Sequence, residues 1–191
     1  EAALEAAQQA LDAKDYARAV ALLEEYLARH PQHLVAQFNL AYGYSLLGRA
    51  SDAIAAYRKI LALDPKLFQA YLNLGLLLLQ EGTPAEAVKA LAQAIALRPE
   101  HTGARLAYAD ALTRSGDTQE ARRHYEATLA REPENADARL GLVRLDLEVG
   151  AWATAEKHLR HLLAHGTERT ELRALLAEAL LGQNRLEAAA H

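Results

Sequence analysis

Cysteine and methionine are both absent from the 191 residues. Without Cys there is no disulfide, no thiolate nucleophile and no thiolate metal ligand. That absence does not choose between a reducing and an oxidising compartment, and both the cytoplasm and a bacterial periplasm stay open. Aromatic residues make up only 6% of the chain, with one tryptophan, Trp152, too few for a β-sandwich core. Basic excess is missing too: 21 Lys and Arg face 25 Asp and Glu, a net charge of −4. Nothing in that balance favours a phosphate backbone, so nucleic acid is not expected as the main ligand. No apolar run approaches the roughly 20 residues of a membrane span, so no membrane insertion is expected. No signal peptide is visible. There is no Gly-rich phosphate loop and no nucleophile elbow. Carboxylates are scattered without an argument for burial. An enzyme is not expected, nor a cofactor.

What remains is alanine and leucine, in a chain that is 51% hydrophobic. That is the composition of close-packed helices. It is also strictly periodic. Gly48, Gly82, Gly116 and Gly150 are 34 residues apart. Pro31, Pro65, Pro99 and Pro133 keep the same interval, and so do Ala19, Ala53, Ala87, Ala121 and Ala155. A period of this length signals stacked repeats. Each unit reads as a helix ended by glycine, a second helix and a proline stop. Thr83-Pro84-Ala85-Glu86 has the spacing of a capping box, and Asp117-Thr118-Gln119-Glu120 repeats it. The alanines are expected where the two helices cross, facing Ala41, Gly75 and Ala109.

The residues that carry the period resemble the tetratricopeptide repeat (TPR) family: Leu40-Ala41, Tyr44, Gly48, Ala53, Tyr57 and Pro65 in the second copy, and Leu74-Gly75, Leu78, Gly82, Ala87, Leu91 and Pro99 in the third. The family's early aromatic is replaced by Gln37, Tyr71, Arg105 and Arg139, Lys14 replaces the first glycine, Thr167 the fifth proline, and Asp146 stands at the place of Tyr44. The resemblance implies an all-α, right-handed superhelical solenoid of antiparallel helix pairs. It spans 1–191 as a single TPR array, with repeats about 1–33, 34–67, 68–101, 102–135 and 136–169 and a partial sixth at 170–191. Residues 170–183 are expected to be an amphipathic helix with Arg173, Glu178 and Gln183 on a wet side, either a solubilising cap or the first helix of a repeat cut short, since 185–190 begins like a second helix. The chain starts without Met and stops inside a helical pattern, so it is expected to be a piece of something longer. The Ala/Leu/Arg-rich usage suggests a GC-rich bacterium.

The resemblance also implies that the first helices line a concave groove. In repeat two the lining is Val35, Phe38, Asn39, Tyr42, Ser45 and Leu46; in repeat three Gln69, Leu72, Asn73, Leu76, Leu79 and Gln80; in repeats four and five it includes Leu106, Asp110, Thr113, Leu140 and Leu147. Asn39 and Asn73 recur at one place. They either bond the backbone of an extended peptide or satisfy their own scaffold. Phe38, Tyr42, Leu72, Leu76 and Leu106 read either as an exposed apolar wall or as packing between neighbouring helices. The expected peptide-binding set is Val35, Phe38, Asn39, Tyr42, Gln69, Leu72, Asn73, Leu76, Leu106 and Asp110. A clamp for acidic tails is not expected, because Phe38, Leu72 and Leu106 occupy the place of its lysine. The expected function is a protein–protein interaction scaffold for an apolar peptide or helix segment. A self-associating module, or a regulatory or targeting arm of a larger enzyme or secretion component, stays open.

The remaining polar positions read as self-satisfied. Asp110, Arg144 and Glu178 alternate in sign at the repeat interval, as do Arg114 and Glu148, and are expected to pair between copies. Arg105, Arg139 and Arg173 are expected to lay their stems over apolar neighbours. His158, His161 and His165 can share a helix face, with His124 one repeat before. No carboxylate or Cys in the pattern completes a metal site with them. They are expected to be a solvated face, with no metal.

Overall fold

Alternating helix stops turn the sequence period into structure. The computed structural model describes residues 2–166 and 170–189, the segment 185–189 as backbone alone. Among the described residues there are eleven α-helices and no strand. The chain divides into two compact units, residues 1–99 and 100–191. The first holds α1 (Ala2–Asp12), α2 (Tyr16–Arg29), α3 (Leu34–Leu46), α4 (Ala50–Leu63), α5 (Phe68–Gln80) and α6 (Pro84–Leu97). The second holds α7 (Thr102–Ser115), α8 (Thr118–Arg131), α9 (Ala136–Glu148), α10 (Trp152–Ala164) and α11 (Thr170–Ala189). Within each unit every helix packs against its successor in the chain.

The glycine stops are left-handed turns. Gly48, Gly82, Gly116 and Gly150 have φ of 72°, 72°, 90° and 73°, a region that an L side chain resists. Each turn is sealed by the next amide reaching back five residues, as in Thr83 N to Leu78 O at 2.9 Å and Asp117 N to Leu112 O at 2.9 Å. This is the bond of a Schellman turn. Lys14 forms the same turn without glycine, at φ 60°, with Asp15 N reaching Ala10 O at 2.8 Å. At the other stop the residues before proline, His30, Asp64, Arg98 and Glu132, all leave the helical region, because the proline ring crowds a helical predecessor.

The alanine column lies in the core: Ala19, Ala53, Ala87, Ala121 and Ala155 are fully buried, as are Ala41 and Ala109. Gly75 takes the equivalent place in α5, where an added Cβ would fall 2.4 Å from Leu91 Cγ. One cluster of the first unit joins Ala7, Leu23 and Ala36. One of the second joins Leu140, Val143, Leu159 and Leu172.

Two expectations need correction. The capping boxes do not form. Thr83 Oγ1 donates instead to Leu78 O at 3.0 Å, and Asp117 makes no side-chain cap bond. The side-chain caps are Asp15, His33, His101 and Asn135, each accepting the amide three residues on. Two are histidines accepting through Nδ1, a role that sequence spacing does not advertise. Next, α11 runs unbroken through Gly182 instead of stopping near Gln183. Gly182 is helical and lies under the Trp152 ring, 2.3 Å from where its Cβ would be. Gln183 is not on a wet side, since its Nε2 donates to Glu156 Oε2 at 2.6 Å; Arg173 and Glu178 are exposed. Two residues that replace the family's early aromatic serve the backbone. Gln37 donates to the carbonyl of Pro31 and Arg139 to that of Pro133, closing the turn into each helix. Thr167 lies outside the described residues.

Candidate functional site

On a helix, residues at offsets of 3, 4 and 7 share a face. Val35, Phe38, Asn39 and Tyr42 therefore form one stripe on α3, and Gln69, Leu72, Asn73 and Leu76 one on α5. Much of this surface is open. Val35 is 59% exposed, Tyr42 43% and Leu76 46%. Gln69 is exposed, and Phe38 and Asn39 are half-buried. Leu72 is different: at 8% exposure it is packing and is not offered to a partner. Its repeat-mate Leu140 is buried as well.

The two stripes of the first unit share a support, Tyr57 of α4, which is fully buried. Its ring meets Phe38 edge-on, with centroids 5.9 Å apart. Its hydroxyl accepts from Asn73 Nδ2 at 3.2 Å and pairs with Ser45. Ser45 donates its own hydrogen to Ala41 O at 3.0 Å. Burial pushes the Tyr57 hydroxyl above its ordinary pKa, which keeps it protonated. Asn73 Oδ1 accepts from Gln69 Nε2 at 3.1 Å, and Asn39 Nδ2 donates to Gln8 Oε1 at 3.3 Å. Both asparagines thus have bonds within the chain. Ser45 and its repeat-mate Thr113 are half-buried, and Thr113 likewise donates to its own helix, to Ala109 O at 2.9 Å, beside buried Tyr125. Leu79 at the same place is buried.

In the second unit Leu106 and Asp110 are half-buried on α7. Asp110 pairs with Arg114 one turn along its own helix at 3.1 Å. Arg144 pairs with Glu171 at 3.7 Å. The sign alternation is therefore met within a helix and by a different acid, since i,i+4 neighbours meet more readily than repeat-mates. A depression of the first unit lies away from these stripes. It is lined by Leu61, Tyr71, Leu78 and Lys89, and the Arg58–Glu86 ion pair at its lining ties α4 to α6.

The histidines separate. His124 stacks edge-on with Tyr108, centroids 4.9 Å apart. His158 turns to the buried Asp146, 3.9 Å away, and desolvation lowers its pKa from the ordinary value. Asp146, 2% exposed, also receives Arg122 Nη2 at 2.6 Å. His161 and His165 stay together with rings stacked at 4.0 Å. The structure adds a carboxylate that the sequence pattern does not show: Glu134, from the turn before α9, lies 3.1 Å from His161 and 3.8 Å from His165.

No helix among the described residues is long and apolar enough to cross a membrane. The family model described as "Cytochrome c-type biogenesis protein H TPR domain" matches residues 58–165, more than half the chain. A model of the tetratricopeptide repeat matches residues 10–77. No curated protein matches. Among solved structures, a tetratricopeptide repeat protein from Parabacteroides merdae has a TM-score of 0.87 at 18% identity, covering 98% of this chain and 75% of that one. YrrB, a TPR protein with an unusual peptide-binding site, has 0.80 at 19%, covering 95% and 90%. PilW, a type IV pilus biogenesis factor, has 0.73 at 20%, covering 97% and 91%. At such identities the likeness is one of fold.

Proposed function

The chain belongs to the tetratricopeptide repeat family, and on that premise we propose that it is a protein-interaction scaffold holding an apolar segment of another protein against its first helices. The carrying observation is the exposed apolar face of α3 and α5, with Val35, Tyr42 and Leu76 about half exposed. Exposed apolar side chains grouped on neighbouring elements mark interaction sites. Phe38 borders the face, Asn39 Oδ1 and Gln69 offer bonds to a partner's backbone, and Leu72, Asn73 and Tyr57 support it from beneath. Leu106 and Asp110 stand at the matching places of α7 and serve the second unit's own face. The segment held has apolar anchors at alternate positions if extended, or at i and i+4 if helical.

The test is selection from a displayed random-peptide library, followed by affinity measurement on Tyr42→Arg with Leu76→Arg. Each anchor lost costs about 2 kcal/mol, roughly thirtyfold in affinity. Equal binding by the double variant, with its helical circular dichroism unchanged, removes these residues from the site.

A second reading is favoured by the match over residues 58–165 to the TPR domain of a cytochrome c-type biogenesis protein. The scaffold then serves c-type cytochrome assembly. Deleting the gene and measuring covalently bound haem in the host's c-type cytochromes tests this, and an unchanged haem content ends it.

A further inference from the structure

We propose that Glu134, His161 and His165 form a binding site for a divalent transition-metal ion of the zinc, nickel or copper class. Glu134 follows Pro133 in the turn before α9, His161 lies in the last turn of α10 and His165 caps that helix. The two histidines are one turn apart on a helix, so their rings fall on the same side. Each of the three residues offers one ligand atom, and all three atoms lie within 4.8 Å of one another. Donors on a tetrahedral zinc, at bond lengths near 2.1 Å, sit about 3.4 Å apart. The two distances to the Glu134 oxygen, 3.1 Å and 3.8 Å, bracket that separation.

The protonation pattern points the same way. His165 Nδ1 lies 2.8 Å from the carbonyl oxygen of His161. A carbonyl only accepts, so Nδ1 carries the hydrogen, and in the neutral ring Nε2 is left with a lone pair. That lone pair is 3.8 Å from the Glu134 carboxylate. A cation placed between them is shared by both acceptors. The bond from Nδ1–H to a backbone carbonyl is also the outer-shell contact that fixes the tautomer of a metal-ligating histidine. Two imidazoles and one carboxylate suit zinc, nickel or copper better than calcium or magnesium, which prefer oxygen alone. Glu134 and His165 are exposed and His161 is half-buried, so water completes the coordination. His158 takes no part, because it is turned to Asp146.

Isothermal titration of zinc chloride into the untagged 191-residue chain tests the site. One ion per chain is expected here, with affinity falling by more than the roughly 10–100-fold typical of losing an outer-shell partner when His161→Ala or His165→Ala is introduced. Glu134→Gln weakens it less, as the amide oxygen remains a poorer donor. Zinc also raises the melting temperature of the unsubstituted chain and not of His161→Ala with His165→Ala. No heat in the unsubstituted chain overturns the proposal and leaves a proton as the bridging cation. Affinity undiminished in the double variant, with its helical signal intact, overturns it as well.

Discussion

Asp146 and Arg122 occupy the places that Leu78 and Ile54 hold two repeats earlier. Two places that are apolar in one repeat hold an ion pair in another, with Asp146 2% exposed and Arg122 at 2.6 Å. Burying the carboxylate is costly, and the gain from pairing does little more than offset that cost. Breaking the pair is a separate matter. Arg122→Ala leaves the Asp146 carboxylate buried, 2% exposed, without its guanidinium partner and is expected to cost about 3 kcal/mol or more. Arg122→Ile with Asp146→Leu restores the apolar pair and is expected to be neutral or stabilising. Urea unfolding of both variants checks this; a double variant as weak as the single one would mean that the pair itself holds the repeat together. Much at this scale is legible in the sequence once the contacts are known. Tyr57 and Tyr125 each have a hydroxyl residue, Ser45 or Thr113, twelve positions earlier, whereas Leu91 and Leu159 have Leu79 and Leu147 there. The pairing follows from the buried tyrosine hydroxyl's need for a polar neighbour. Periodicity identifies equivalent places, but a serine on a helix reads the same whether it faces water or a tyrosine. Spacing alone therefore puts this column in the groove. Glu134 is invisible to the same reasoning, because a metal cluster is set by a turn's path, not by spacing within one helix.

Helices in this chain are bounded by their stops more than by their caps. Among the described residues five left-handed turns use glycine, and Lys14 is the exception. A non-glycine residue there costs about 1–2 kcal/mol, part of which glycine would give back through its freer unfolded chain. Lys14→Gly is therefore expected to raise stability by about 0.5–1 kcal/mol, seen as a higher melting temperature. An unchanged or lower melt would show that the Lys14 side chain makes up the strain. The glycine and proline columns locate the helix ends correctly because both act through backbone geometry, which a neighbour cannot alter. The capping boxes fail because a Thr hydroxyl also has the preceding helix's last carbonyls within reach, and Thr83 takes the bond to Leu78.

Whole-molecule behaviour follows from contacts that run between successive helices. In such arrays stability is a sum of repeat and neighbour terms. Gly75→Ala crowds Leu91 between α5 and α6 and is expected to cost about 1–3 kcal/mol. Asp146 lies between α8 and α9, with no helix in common. Combining Gly75→Ala with Asp146→Ala is expected to be additive within about 0.5 kcal/mol; a larger coupling, read from denaturant unfolding, would show that the two sites interact. The helical-repeat class is readable from three columns at one interval, since an interval of 34 residues admits one helical hairpin and little else. The exposed stripe on α3 is readable too. Its separation from the buried Leu72 is not, because leucine recurs at that place for packing and exposure alike.

The hairpins carry one more implication, for synthesis. A helix whose main contact is the one made just after it needs no segment from the far end of its unit. Each hairpin can thus settle while the polypeptide is still leaving the ribosome, with its oily side covered soon after it emerges.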